Sequence, residues 1–475
     1  MANLFTYGRV DETVINELVS AICSNNVSTD KDKCATYSRD EVPSNFYGRE
    51  YSAEVLVFPE TTEHVSSIMK IASKHKVPVT PRGAGTGLSG GALPVHGGIV
   101  MSFEKMNKLL ELDHKNLTIT VEPGVVTSEI TAMATENNLF YAGDPCSGDS
   151  SYIGGNIAEN AGGNKVIKYG APGAQVLALE VVLPDGSITW FGGKRLKDAT
   201  GFNFVQLMVG SEGVLGVITK AVLKLLPLSR YSVDLLAAFK DTATAIAFVP
   251  QIVKEGGLIP SSIEFMDKKA LSLVKKYLNT EVPAGEAGAV LIIELEDNDM
   301  EQLEKIYEKI GKLSQKHGAY EVYVADTRST KDRVWQARKS IAEAVSTSYT
   351  KYTKEDLVVP TDKVPALLEA IEEICTSHKL EWSAYGHAGD GNMHCSIIAP
   401  ETTDWHDVLT TVQCELYPKV LDMGGTLSGE HGIGFKRKGY MKYFMDESQI
   451  ELIKRVKLAF DPQNILNPGK MVDWN

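Results

Sequence analysis

The sequence lacks the features of a membrane protein or of a disulfide-stabilised protein. No apolar run approaches the length that spans a bilayer, and the first twenty residues show no basic segment followed by an apolar one. The six cysteines are scattered and include no C-x-x-C pair, which disfavours a disulfide framework, a structural zinc knuckle and an iron–sulfur cluster. We therefore expect a cytoplasmic protein without a transmembrane segment.

Positive charge is also scarce. The chain has 48 Lys and Arg residues against 61 Asp and Glu residues, which gives a net charge of -13, and no basic cluster is evident. Because nucleic-acid binding relies on clustered cations that neutralise phosphates, we expect no nucleic-acid partner. Internal repeats and low-complexity tracts are absent as well, and 475 residues are more than one hydrophobic core comfortably organises. Two or three globular domains are expected.

The spacing of apolar residues predicts an α+β protein in two halves. In the first half, strand-like segments at 53–60 and 77–83 flank a helical segment at 61–76, which predicts a β-α-β unit. After Pro227, long helical segments alternate with apolar strands. The predicted helices of this second half are 241–256, 299–317 and 331–348, and its clearest strands are 289–296 and 319–326. We place a domain boundary near residue 230.

Two glycine-rich stretches interrupt the first half. RGAGTGLSGGA (82–92) directly follows a predicted strand, and SYIGGNIAENAGG (151–163) comes later. Glycine lets backbone N–H groups approach a ligand closely, and the ligand typical of such a loop is a phosphate. Neither stretch is a G-x-G-x-x-G that opens a long helix or a G-x-x-x-x-G-K-[ST], so nicotinamide and P-loop folds fit poorly. A flexible surface loop is the alternative interpretation of either stretch taken alone.

Four segments in order resemble the FAD-binding domain of the vanillyl-alcohol oxidase and p-cresol methylhydroxylase superfamily. They are PRGAGTGLSGGA, SYIGGNIAENAGG, the YG at 169–170 and GSEGVLGVIT. The resemblance implies a two-subdomain FAD-binding domain in which 82–91 wrap the pyrophosphate, 154–163 line the flavin and 212–218 lie along the adenosine. Covalent members often carry a histidine shortly after the start of the first loop. Thr86 stands there in this chain, which implies FAD held without a covalent bond.

The resemblance assigns a set of residues to the cofactor. They are Arg82, Gly83, Ala84, Gly85, Thr86, Gly87, Ser89, Gly90, Gly91, Asp144, Pro145, Ser150, Gly154, Gly155, Asn156, Ala161, Gly162, Gly163, Tyr169, Gly170, Glu212, Gly213, Gly216, Ile218 and Asn467.

Two histidines flank a turn in YGHAGDGNMHCSI. If Asp390 and Gly391 are the central residues of a two-residue hairpin turn, His387 and His394 are directly opposed cross-strand neighbours within reach of one metal ion. The alternative is that they merely flank a tight turn. Two imidazoles and a carboxylate commonly bind a divalent metal, and Glu430 in the segment TLSGEHGIG is the available carboxylate.

Adjacent side chains of an extended segment point to opposite sides. If Glu430 binds the metal, the side chain of His431 should therefore point away from the metal. An unligated histidine beside a metal site is a candidate general base, because the pKa of an imidazole lies near neutrality.

GHAGDGNMH and GEHG narrow the resemblance to the D-2-hydroxyacid dehydrogenases of the D-lactate dehydrogenase, glycolate oxidase D-subunit and D-2-hydroxyglutarate dehydrogenase type. It covers about 51–470 and implies His387, His394 and Glu430 as ligands of one Zn, Fe or Mn ion, with His431 as the base. Asn392 is expected near the substrate, and Asn467 of the terminal NPGK is expected near the flavin ring.

The resemblance also implies an α+β cap domain with an antiparallel sheet. The expected domains are an FAD-binding domain at 1–230 with its core at about 51–230, a cap or substrate domain at 231–425, and a C-terminal segment at 426–475 that returns to the flavin. In the family, an arginine and a lysine of the cap hold the substrate carboxylate, and WQARKS and KEDLVVP match these places through Arg338 and Lys354. Solvated helix charges are the alternative reading of that pair.

The expected function is oxidation of D-lactate, or a similar small D-2-hydroxy acid, to the 2-keto acid by hydride transfer to FAD. Some relatives that bind longer diacids carry a hydroxyl residue one turn after the arginine, whereas this chain has Ala342, which favours lactate or glycolate. An electron-transferring flavoprotein or an iron–sulfur subunit is the expected electron acceptor, and a homodimer is one candidate assembly. The alternatives are a glycolate or D-2-hydroxyglutarate dehydrogenase, a flavin oxidase that uses oxygen, and a non-catalytic flavin subunit.

Overall fold

The computed structural model describes residues 5–47, 49–279, 283–401 and 403–474. Its α-helices are α1 Glu12–Ile22, α2 Lys31–Tyr37, α3 Thr62–His75, α4 Thr127–Glu136, α5 Ile153–Glu159, α6 Val166–Tyr169, α7 Phe204–Met208, α8 Thr242–Lys254, α9 Lys268–Leu278, α10 Met300–Lys316, α11 Arg328–Lys339, α12 Ile341–Ser348, α13 Val364–Ser377, α14 Trp405–Asp422, α15 Met441–Phe444 and α16 Glu447–Phe460.

The strands are β1 Val27–Ser28, β2 Val55–Val57, β3 Val79–Arg82, β4 Ile99–Ser102, β5 Leu109–Asp113, β6 Thr118–Val121, β7 Leu139–Phe140, β8 Val176–Val182, β9 Ile188–Gly192, β10 Val217–Lys224, β11 Leu226–Pro227, β12 Tyr231–Phe239, β13 Ser262–Asp267, β14 Ala289–Asp297, β15 Glu321–Ala325, β16 Tyr352–Val358, β17 Glu381–His387 and β18 Asn392–Ile398.

The chain divides into two compact units. The first unit comprises the described residues of Met1–Gly162, Ala171–Leu228 and Glu430–Asn475, and the second comprises those of Gly163–Gly170 and Ser229–Gly429.

The first unit contains two main sheets, one with the order β1-β2-β4-β3 and one with the order β5-β6-β10-β8-β9. In the first of these, β2 and β3 both run parallel to β4, which lies between them. The predicted β-α-β unit is therefore present, with a third strand inserted. Its helix α3 begins at the cap Thr61, whose side chain accepts a hydrogen bond from the backbone N–H of His64. The apolar face of α3 is buried together with that of α1, in one core with β2, β3 and β4.

The second unit is built on a seven-stranded sheet with the order β15-β12-β14-β13-β17-β18-β16. Every pairing in this sheet is antiparallel. Helices α9, α11 and α12 supply residues to a core against one part of the sheet. The α+β prediction is confirmed, but the helix predicted at 331–348 is two helices, α11 and α12, that meet at Ser340. Within the described ranges, no helix has both the length and the apolar content needed to cross a membrane.

Candidate active site

The first unit contains a cavity of about 240 Å³ whose walls are largely the glycine-rich segments. Strand β3 ends at Arg82 and passes directly into the first of these segments, while the second begins two residues before α5 and contains it. The predicted cofactor residues that line the cavity are Arg82, Gly83, Ala84, Gly85, Thr86, Gly87, Gly91, Pro145, Gly154, Gly155, Asn156, Ala161, Gly162, Glu212, Gly213, Gly216, Ile218 and Asn467. Tertiary folding thus brings four distant segments to one cavity.

The other predicted cofactor residues lie elsewhere. The Ser89 carbonyl accepts hydrogen bonds from the N–H groups of Phe435 and Lys436, and the Gly90 N–H donates to Asp40. Asp144 and Ser150 are exposed. The remaining three, Gly163, Tyr169 and Gly170, belong to the second unit, where the Tyr169 hydroxyl donates to Glu296.

The walls of the cavity suit FAD. A Cβ at Gly155 would meet no protein atom within 4 Å, so this part of α5 presents bare backbone to the open space. Among the described residues, no backbone N–H from Ala84 to Leu88 donates to another protein atom. Consecutive donors of this kind are what a pyrophosphate needs.

Sequence reasoning missed Glu159 at this cavity. It lines the wall and is half-buried, and desolvation together with the charge of the neighbouring Glu212 raises the pKa of its carboxyl well above the usual range. The available signal was that SYIGGNIAENAGG contains a single acidic side chain among its glycines.

We expect Gly155→Val to weaken FAD binding about tenfold to hundredfold, since overpacking costs about 1 to 3 kcal/mol. The apoprotein should fold normally, because the added side chain enters open space. Gly154→Val is the matched control: its Cβ would lie 2.6 Å from the Cβ of Pro123, so it should lower the unfolding temperature of the apoprotein. FAD titration and thermal unfolding measure both variants. Parental affinity of Gly155→Val would remove Gly155 from the flavin site.

The two histidines of the second unit lie on a hairpin whose register differs from the prediction. His387 pairs with Asn392 and His394 pairs with Tyr385, so the loop has four residues, 388–391, instead of two. The prediction of directly opposed histidines is wrong. A shift of two residues preserves which face each side chain occupies, because strand side chains alternate with a period of two. The imidazole centroids are therefore still only 5.2 Å apart.

A buried carboxylate lies beside each imidazole. Glu264 Oε1 is 2.6 Å from His387 Nδ1, and Asp356 Oδ1 is 3.5 Å from His394 Nδ1. Burial opposes ionisation of Glu264, but the neighbouring His387 and Arg338 outweigh it and hold the carboxyl pKa below its usual range. At His387, the hydrogen bond between Nδ1 and the Glu264 carboxylate favours the tautomer that presents Nε2 as a metal ligand. Both carboxylates escaped sequence analysis.

The predicted substrate residues also belong to this unit. Arg338 is buried, and its Nη2 lies 2.6 Å from Glu264 Oε2, so it is not the solvated helix charge of the alternative interpretation. Lys354 is partly buried on β16, two residues before Asp356 and on the same face. Asn392 Nδ2 donates to Asp356 Oδ1 at 2.8 Å. One face of the sheet therefore carries Lys354, Asn392 and both histidines.

Glu430 and His431 belong to the first unit and line the glycine-walled cavity. They lie in a bend, and His431 Nε2 is 3.9 Å from Glu430 Oε1. The prediction that these neighbours point to opposite sides of an extended segment is wrong, since the backbone turns here. Gly429, just before them, donates its N–H to Asp356 Oδ2 at 2.9 Å within the second unit.

The fold and the glycine-walled cavity define an FAD-binding oxidoreductase. Residues 53–192 match the family model for the FAD binding domain, and residues 228–471 match that for the C-terminal domain of FAD linked oxidases. The chain belongs to this family of FAD-linked oxidoreductases, whose members include D-lactate, glycolate and D-2-hydroxyglutarate dehydrogenases.

Three relatives show the range of that family. Glycolate oxidase subunit GlcD of Bacillus subtilis is 37% identical over 92% of this chain and 91% of its own length. D-lactate dehydrogenase of Anaerostipes hadrus is 35% identical over 92% of each chain. D-2-hydroxyglutarate dehydrogenase of Stutzerimonas stutzeri is 32% identical over 97% of this chain and 99% of its own.

The fold itself matches solved structures. That of 4-ethylphenol oxidase from Gulosibacter chungangensis matches with a TM-score of 0.81 at 19% identity, over 99% of both chains.

Proposed function

We propose that this chain is an FAD-dependent dehydrogenase that oxidises D-lactate, or a similarly small D-2-hydroxy acid, to the corresponding 2-keto acid. The observation that carries the proposal is the single sheet face bearing a lysine, an amide and two imidazoles, each with a buried carboxylate beside it. This is the chemistry that recognises a carboxylate beside a hydroxyl group. Bound FAD supplies the two-electron acceptor, at N5, for the hydride that leaves Cα of the substrate.

His431 is proposed as the general base that takes the hydroxyl proton. Its position on the wall of the cavity supports this role, and an imidazole titrates near neutral pH. Arg338 and Lys354 are proposed to hold the substrate carboxylate. Both are cations of the second unit, and the ion pair with Glu264 fixes the position of the Arg338 guanidinium there.

We further propose that His387, His394 and Glu430 hold one divalent metal ion, Zn, Fe or Mn. The hydrogen bond of Glu264 to His387 Nδ1 and the buried Asp356 carboxylate beside His394 support this ligand set. Glu430 is attached directly to Gly429, whose N–H is bonded to the same Asp356 that lies beside His394. A metal ion would supply a Lewis acid for the hydroxyl and carboxylate oxygens of the acid.

The choice of a small substrate rests on Ala342. Located four residues after Arg338, it offers no hydroxyl for a second carboxylate.

The test of the substrate assignment is anaerobic bleaching of the purified yellow protein by D-lactate, L-lactate, glycolate and D-2-hydroxyglutarate. We expect D-lactate to reduce the flavin fastest, and preference for D-2-hydroxyglutarate would overturn the substrate assignment. The reduced FAD should then be reoxidised by an electron-transferring flavoprotein or an iron–sulfur subunit, and not by oxygen. An assay for hydrogen peroxide checks this, because reoxidation by oxygen would release it.

We expect acid precipitation to release FAD into the supernatant. Thr86 lines the cavity at the place where covalent relatives of this superfamily often carry a histidine, and its hydroxyl is not a usual flavin attachment group. The absorbance of the supernatant and of the washed pellet measures the result. Yellow colour that stays with the pellet after proteolysis would contradict the prediction and would identify a tethered peptide.

A further inference from the structure

The bend that carries His431 is hydrogen-bonded to the carboxylate of Glu212, which is distant in the sequence but belongs to the same unit. Glu212 Oε1 accepts a hydrogen bond from the Ile433 N–H, and its Oε2 accepts one from the Gly434 N–H, each at 2.7 Å. Both donors follow His431 within three residues. Each carboxylate oxygen accepts one of the two N–H groups. This two-point contact fixes both the orientation of the backbone at 433–434 and its distance from Glu212.

The residue between His431 and these donors is confined from two further sides. Arg437, which is fully buried, donates from Nη1 to the Gly432 carbonyl at 3.0 Å. A Cβ at Gly432 would lie 2.1 Å from Glu159 Oε2, and Gly432 has a φ of +80°. The backbone next to His431 therefore has little freedom to move.

Glu212 occupies a conformation that favours glycine. Its φ is +51°, in the left-handed region, which costs a side-chain-bearing residue about 1 kcal/mol or more. Its own backbone is secured by the Glu212 N–H to Ala158 carbonyl bond and by Asn467 Nδ2, which donates to the Glu212 carbonyl at 2.8 Å. Glu212 therefore keeps an unfavourable backbone conformation while its carboxylate binds the bend that carries His431. This combination indicates that the contact between the carboxylate and the bend is functional.

We propose that Glu212 is a positioning residue for His431, which it holds in the orientation needed to take a proton at the cavity. This inference rests on the proposed function, because it assumes that His431 is the base. It differs from the expectation that residues 212–218 only line the adenosine part of FAD.

The test compares Glu212→Gly with Glu212→Ala and Glu212→Gln in the FAD-loaded enzyme. Glu212→Gly removes the acceptor and also relieves the strained φ, so it should be the more stable of the two truncations. We expect Glu212→Gly and Glu212→Ala to retain FAD and to slow anaerobic flavin reduction by D-lactate equally, by about tenfold to hundredfold. Glu212→Gln, with one acceptor oxygen left, should recover part of that loss.

Glu122→Gln is the matched control. Glu122 is also buried in the first unit and accepts a backbone N–H, from Lys108 at 2.9 Å, so its variant should reduce at the parental rate. The decisive measurement is Glu212→Gly combined with His431→Asn. If Glu212 acts through His431, the double variant reduces no more slowly than His431→Asn alone.

Three outcomes would overturn the positioning role. The reduction rates of the two single variants could combine multiplicatively in the double variant, Glu212→Gly could reduce at the parental rate, or Glu212→Gly could lose its FAD. Failure of the proposed function is seen separately, as a parental reduction rate in His431→Asn alone.

Discussion

Replacing His431 by asparagine is expected to slow flavin reduction by D-lactate by about two to four orders of magnitude, the contribution of a positioned general base. The imidazole lines the cavity, and asparagine keeps a polar side chain of similar length that does not titrate near neutral pH. FAD and metal contents should equal those of the parent. Anaerobic stopped-flow bleaching, with metal analysis of the same samples, measures the effect.

Glu430→Gln is the matched control for this variant, because its side chain is adjacent and lines the same cavity. An amide is a weaker ligand than a carboxylate, so this variant should lose metal and recover part of its activity when divalent metal is added. His431→Asn should not respond to metal. If His431→Asn reduces at the parental rate, or is itself metal-free, His431 is not the base.

Glu264→Ala is expected to lower the free energy of unfolding by about 3 to 5 kcal/mol, the cost of stripping one partner from a buried ion pair. Glu264 is fully buried, and its carboxylate lies between Arg338 and His387 at 2.6 Å from each. Its loss leaves the Arg338 guanidinium buried over the ring of Tyr385 without that counter-charge. Urea unfolding followed by fluorescence gives the value.

Two comparisons isolate the ion pair as the cause. Glu264→Ala combined with Arg338→Met removes both charges, so it should regain more than half of the lost stability. Glu308→Ala breaks the exposed pair with Lys312, at 3.1 Å, and should cost at most about 1 kcal/mol. If the double variant is no more stable than Glu264→Ala, the loss comes from packing and not from an uncompensated charge.

Local sequence patterns predicted the elements whose stability is local. The helix predicted at 61–76 is observed as α3, and the helix predicted at 299–317 is observed as α10, because a cap residue and one apolar face suffice to specify such helices. In place of the single helix predicted at 331–348, the chain forms α11, which begins at Arg328, and α12, and these meet at Ser340. Nothing in the local spacing there distinguishes one long helix from two.

The hairpin at His387 shows where local reasoning failed. A two-residue turn at Asp390 and Gly391 suits the sequence, yet the turn is part of a tertiary contact. A Cβ at Gly391 would lie 2.1 Å from the Val359 carbonyl, and the Asp390 side chain accepts the Asn392 N–H. The packing of this loop against the end of β16 therefore selects a four-residue loop.

The sequence by itself determined the class of fold, the glycine segments that wall the cavity, and which histidines share a face. These features follow from strand alternation and from the conformations open to glycine, which are properties of neighbouring residues. Only the tertiary structure decided which buried carboxylates lie beside the imidazole of His387 and beside the bend at His431. Glu264 lies 123 residues from His387, and Glu212 lies 221 residues from Ile433. A buried acidic side chain has no local periodicity to reveal it, because its partner is set by the packing of sheets and loops that are remote in the chain.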